Sequence, residues 1–176
     1  MPNYCNFEMR VRGNEEAIDE FVKDALDYDR DRHLWRVFNL EEWDSKENTD
    51  GTVTRDFTGS CAWSVYSCMF DGEHTYAHDN PEKSASLISE SFERNLSIEV
   101  YSFEPGLCFS EHYLVEGGEL KVSDEVEYQE ICYFEDDYDS FEEFRADVNL
   151  PDNITEKDFE LEDFVTIGGH EVIWHI

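Results

Sequence analysis

Between Tyr4 and Arg12 the chain alternates: Cys5, Phe7, Met9 and Val11 are apolar, while Glu8, Arg10 and Arg12 between them are charged. A period of two marks a strand with one buried face, and Gly13 ends it. The period then changes. Asn14 supplies a helix N-cap, and Glu15, Glu16 and Asp19 suit the positive end of a helix dipole. Ile18, Phe21, Val22, Ala25 and Leu26 form the apolar stripe of a helix running to about Tyr28. Strands are expected at Leu34–Leu40 and Thr52–Thr58, with the polar stretch Glu41–Gly51 between them as a loop. The segment CAWSVYSCMF, Cys61–Phe70, fits a buried strand or a helix start. His74–Glu82 reads as loop around Asn80-Pro81, and Glu82–Asn95 as a helix burying Leu87, Ile88 and Phe92.

Three strand patterns follow, Ser97–Phe103, Cys108–Val115 and Glu119–Tyr128. Glu104-Pro105-Gly106 and Gly117-Gly118 separate them with good turn chemistry, so they predict an antiparallel meander. Asp139–Val148 predicts a helix with Phe141, Phe144 and Val148 inward, and His170–Ile176 a closing strand. The expected fold is therefore α+β. A ferredoxin-like antiparallel sheet carries two helices on one face, and the meander and a C-terminal helix and strand extend it. Residues 1–128 make the core with its meander, and 129–176 an acidic C-terminal extension packed on the same domain.

Charge changes this picture most. The 176 residues carry 13 Lys+Arg and 44 Asp+Glu, a net charge of −31 at pH 7. With 40% hydrophobic and 15% aromatic residues the chain is no disordered acidic tail. Such a charge repels itself and works against the compact state, well beyond the roughly 2–8 charges that solubility asks of a small domain. Adaptation to high salt and a merely solvated surface are the plain explanations; a basic partner is the functional one. The acids are not evenly spread, since 18 of the 44 fall in residues 119–163 against 3 bases. Direct nucleic-acid binding is excluded by sign, because it needs Lys and Arg to displace phosphate counterions. Arg30, Arg32 and Arg36 are interleaved with Asp27, Asp29 and Asp31. An anionic membrane would be repelled too, and no apolar run approaches the ~18 residues of a membrane span. Five cysteines, without a CxxC pair or a secretory signal, point to reduced thiols in the cytoplasm.

The opening MPNYCN, a first strand ending in Gly13, and the stretch Tyr101–Phe109 (YSFEPGLCF) followed by Tyr113 and Gly118-Glu119 together resemble the YubB-like proteins of phages and plasmids. CAWSVYSCM is similar to the Trp-containing middle of that family, and residues 129–176 lie outside the resemblance. The resemblance implies a ferredoxin-like domain in a mobile-element setting, where small acidic proteins include inhibitors of restriction and CRISPR nucleases.

Catalytic signatures are absent. There is no phosphate-binding glycine loop, no GxSxG and no HExxH, so an enzyme is not expected. His74 and His78, with Asp79, lack a third ligand, and no metal or cofactor is assigned. Glu111 and His112 are strand neighbours that point to opposite faces, which leaves His112 at the sheet surface. Cys61, Cys68, Trp63 and Tyr66 read as core. The candidate partner-binding residues are Glu125 and Glu127, on one face of a strand and separated by ~6.6–6.8 Å, with Glu130, Glu135, Asp136, Asp137, Asp139, Glu142, Glu143 and Asp147 extending the row. A row of carboxylates can replace a row of phosphates in a basic groove, each Arg contact being charge-assisted. The expected function is an acidic DNA mimic from a phage or mobile element. It would inhibit a basic, nucleic-acid-binding host nuclease such as a CRISPR effector, Cas9 being one example. Alternatives are a scaffold module for a basic protein partner and a metal-dependent hydrolase.

Overall fold

The computed structural model describes residues 3–27, 29, 33–70, 85–133, 137–159 and 164–176. The opening alternation is kept in β1 (Tyr4–Gly13), where Cys5, Phe7, Met9 and Val11 are buried. Helix α1 (Glu15–Ala25) starts where the Asn14 side chain accepts the backbone N–H groups of Glu16 and Ala17, and it buries Ile18, Phe21 and Ala25. β2 (Val37–Glu47) and β3 (Val53–Ala62) form a hairpin, followed by a π-helical turn (Tyr66–Phe70) and α2 (Leu87–Arg94). Then come β4 (Ser97–Glu104), β5 (Phe109–Glu116) and β6 (Glu119–Cys132). The chain continues through α3 (Phe141–Val148) and α4 (Glu156–Phe159) to β7 (Phe164–Gly168).

All seven strands join one antiparallel sheet in the order β2-β3-β1-β4-β5-β6-β7. Phe7, Met9, Phe57, Ile98, Val100 and Val115 meet Ile18, Phe21, Met69 and Leu87 in the main core. Packing there is tight enough to dictate a glycine. Gly59 lies opposite Phe7, and a Cβ would stand 2.3 Å from the Phe7 ring and 2.4 Å from the Asn39 carbonyl oxygen. Gly117 and Gly118, with φ of 58° and 78°, make the tight turn from β5 to β6, a conformation that favours glycine at both central positions. Among the described residues no helix is long and apolar enough to cross a membrane.

The ferredoxin-like α+β expectation is overturned. Strand makes up 45% of the structure, the seven strands curl into a half-barrel, and the helices are few and short. The physical reason lies in three places. The helix expected over Glu82–Asn95 spans eight residues, because Ser86 caps it through a reciprocal pair of hydrogen bonds with Ser89. β6 runs for 14 residues and recruits β7, so the sheet rather than a helix layer sets the architecture. The stretch expected as loop, Glu41–Gly51, is strand to Glu47. It is the outer half of an edge strand, where exposed Glu41, Glu42, Asp44 and Glu47 need not alternate and their charge deters further pairing.

Other readings are also corrected. CAWSVYSCMF ends β3 and then forms the π-helical turn, and Trp63 and Tyr66 are not core, with 36% and 46% of their surface exposed. Trp63 instead pairs with Trp35 at 5.9 Å, and the Arg36 guanidinium lies over both rings. Phe92 is 73% exposed and lies against Gly118. The closing strand is Phe164–Gly168. Gly168 and Gly169, with φ of 83° and 78°, turn the chain out of the sheet, so 170–176 crosses the strands instead of running along one.

Candidate functional site

Two polar regions stand out, one anticipated and one not. The anticipated region is the acidic late segment. Glu125 and Glu127 are exposed on β6, opposite Glu111 and Phe109 of β5, and so project to one side of the sheet. Glu130, also exposed, falls on the other side, opposite Thr166 of β7. Asp137 and Asp139 precede α3, and Glu142, Glu143 and Asp147 lie on its exposed surface. Glu135 and Asp136 lie outside the described residues, as do His74, His78 and Asp79. α3 is held by an aromatic cluster in which Tyr133, Tyr138, Phe141 and Phe159 ring the buried Phe144. The inward apolar face is thus satisfied, and the carboxylates face out.

Pairing separates these acids from eight of the earlier ones. Arg55 meets Glu15, Asp19 and Glu42, and Arg94 meets Glu20, Asp24 and Glu90. Arg12 meets Asp50, and Arg10 holds Asp56 through two bonds of 2.6 Å. Among the described residues Glu125, Glu127, Glu130, Asp137, Asp139, Glu142, Glu143 and Asp147 make no ion pair with Lys or Arg. Their only side-chain bonds are local: Asp139 N–H donates to Glu143, and the Tyr138 hydroxyl to Asp147.

The unanticipated region lies on the face of the sheet away from α1 and α2. Side chains alternate across β4 and β5, so Glu111 and His112 do point to opposite faces. Glu111, fully buried, reaches the π-helical turn and accepts the N–H groups of Val65 and Tyr66 and the hydroxyls of Ser102 and Tyr113. It is a structural carboxylate, satisfied four times. Burial, with the Glu111 charge next, raises the Tyr113 pKa well above the ordinary tyrosine range.

His112 is not an open surface residue but 7% exposed. The segment 170–176 covers it. His170 N–H donates to the Ser110 hydroxyl, the Tyr101 hydroxyl donates to the Ile173 carbonyl at 2.7 Å, and Trp174 packs edge-on against Tyr101 beneath the Arg10 guanidinium. Under this strap sits Glu99, fully buried. One carboxylate oxygen is 2.8 Å from His112 Nε2 and 2.6 Å from His175 Nδ1, and the other accepts the His175 backbone N–H at 2.7 Å. Burial opposes the Glu99 charge, but the His175 and His112 bonds outweigh it and lower its pKa. Burial lowers the His112 pKa, against the pull of Glu99, so His112 favours the neutral imidazole. The His112 ring stacks on Tyr101 at 4.0 Å, and His170 stands edge-on to it at 5.7 Å. His170 Nε2 is buried without a hydrogen-bond partner. Glu99, His112 and His175 place their three ligand-type atoms within 4.8 Å of one another, so they are the described residues that could hold a metal ion.

Sequence reading missed this group because its members are 13 and 63 positions apart and no motif spacing links them. The available signal was faint: three histidines in strand-like contexts, two of them in the last seven residues. No protein-family model, curated protein or solved structure matches the chain.

Proposed function

We propose that the protein is a non-enzymatic acidic binding protein whose β6–α3 region occupies the basic nucleic-acid groove of another protein. The observation that carries this reading is the division of the carboxylates. Eight of the earlier acids, Glu15, Asp19, Glu20, Asp24, Glu42, Asp50, Asp56 and Glu90, are held by arginines of the same chain, whereas Glu125, Glu127, Glu130, Asp137, Asp139, Glu142, Glu143 and Asp147 are exposed and, among the described residues, make no ion pair with Lys or Arg. Unpaired carboxylates are solvated at no cost in the free protein and are available for charge-assisted bonds to Arg on a partner. Their common sign would also steer encounter with a basic surface and make association sensitive to salt. Together with the resemblance to mobile-element proteins, this favours a host defence nuclease, such as a CRISPR effector, as the target class.

The test is titration of purified protein into such a nuclease over a range of salt concentrations. Inhibition is expected at low salt, weakening steeply as the ~8–10 Å Debye length of physiological salt shortens. Glu125→Gln and Glu127→Gln combined with amide substitutions at Asp137, Asp139, Glu142, Glu143 and Asp147 should abolish it. Inhibition that survives these changes would rule out mimicry. Recovery, from nuclease-treated lysate, of basic proteins with no nucleic-acid groove would replace inhibition with a scaffold role.

A further inference from the structure

We propose that Glu99, His112 and His175 form a binding site for a first-row transition-metal dication, with zinc the natural candidate, and that the metal fastens the strap 170–176 across the sheet. The site stands independently of the acidic region, on different residues and a different chemistry.

Three observations support it. The donor set is two imidazoles and one carboxylate, the mixed nitrogen–oxygen environment that zinc and its neighbours accept and that hard cations such as calcium and magnesium do not favour. The geometry is already close. Tetrahedral zinc with bonds of about 2.0–2.2 Å holds its ligand atoms roughly 3.3 Å apart. Here Glu99 Oε1 lies 2.8 Å from His112 Nε2 and 2.6 Å from His175 Nδ1, and all three atoms fall within 4.8 Å. Zinc requires the carboxylate oxygen to draw back from both nitrogens and the nitrogens, up to 4.8 Å apart, to close towards one another, a movement the half-exposed His175 on the strap can take up. The framework is rigid on the other side, since Glu99 and His112 stand on adjacent strands and the His112 ring is stacked on Tyr101.

Coordination uses His112 Nε2 and His175 Nδ1, so each ring carries its proton on the other nitrogen. Three protein ligands leave a further position. His170, with a buried and unpartnered Nε2 and its ring beside His112, is the neighbour placed to approach it. The dication would also neutralise Glu99, a fully buried carboxylate whose charge is otherwise supported by its bonds to two histidines and by the nearby charge of Arg10.

The experiment uses the full chain without an affinity tag, stripped of metal by a chelator and titrated with Zn(II) at pH 7.5 in competition with a chromophoric chelator. One zinc per chain is expected. His175→Ala and Glu99→Gln should each weaken binding at least ~10–100-fold, the loss that even outer-shell changes cause. Glu125→Gln with Glu127→Gln should leave it unchanged. Cobalt(II) in place of zinc should give visible ligand-field absorption that His175→Ala removes. Hydrogen exchange over 170–176 should slow on zinc addition in the parent chain only. His175 is half-exposed, so its variant keeps the fold, which circular dichroism verifies. Absence of stoichiometric zinc, or equal affinity in His175→Ala, would overturn the proposal. So would loss of binding on neutralising Glu125 and Glu127 alone, which would place the ion on the acidic surface.

Discussion

At the scale of single residues, charges in this protein are set by immediate hydrogen-bond partners. Asp50, at the tip of the β2–β3 hairpin, is the clearest case. Its carboxylate accepts the Thr52 hydroxyl at 2.6 Å and the Thr52 N–H at 3.0 Å, and it meets Arg12 at 2.6 Å. The Thr52 bonds first, then Arg12, hold its pKa down at about 2. Because the folded value is depressed, the contribution to stability is complete above the ordinary Asp value near 3.9. It is lost as pH falls from there towards about 2. Carbon-detected NMR titration should find Asp50 at about 2, and Thr52→Val should move it back towards the ordinary value. An unshifted Asp50 in the parent chain would contradict the hairpin geometry. The Asp-Gly-Thr sequence was visible in the chain. That its carboxylate faces Arg12 was not, because the pairing depends on the register between β1 and β3.

At the scale of elements, the alternating strands were legible and the irregular ones were not. β1, β4, β5 and β6 stand where polar and apolar positions alternate or where turn residues separate apolar runs. β2 was half hidden because an edge strand with an exposed outer half has no buried face to impose a period. The π-helical turn was illegible because its start is fixed from outside, by Glu111 accepting the N–H groups of Val65 and Tyr66. That dependence gives a prediction. Glu111→Leu leaves two backbone donors and two hydroxyls without their acceptor, and buried unsatisfied donors cost about 1–3 kcal/mol each before relaxation. A loss of about 3 kcal/mol or more is expected in urea denaturation. Glu111→Gln, which keeps one strong acceptor, should lose less. Equal stability of Glu111→Leu and the parent would show that the turn forms without its anchor.

At the scale of the whole molecule, the acidity was legible in amount and in place, but its meaning depends on pairing. The sequence shows 44 acids and cannot show which of them face an arginine. Glu15 and Asp19 are drawn to Arg55 from across 36 to 40 positions, whereas among the described residues Glu125, Glu127 and Glu130 of β6 and Glu142, Glu143 and Asp147 of α3 make no ion pair with Lys or Arg. The Glu99–His112–His175 group was equally out of view, because its third member arrives on a segment whose crossing path is set by two glycines at positive φ.

That crossing path has a consequence for the order of folding. The segment 170–176 touches β1, β4 and β5 at once, through Arg10, Tyr101, Glu99 and Ser110, and its bonds to Tyr101 and Glu99 close loops of 72 and 76 residues. It has no docking surface until those strands have paired, and its contacts are therefore expected to form after the rate-limiting barrier. Trp174→Ala should therefore accelerate unfolding while leaving the refolding rate nearly unchanged, as stopped-flow measurements in urea would show. Equal effects on both limbs would place the segment in the folding nucleus instead. On that expectation the strap 170–176 would govern how long the native state persists rather than how quickly it is reached.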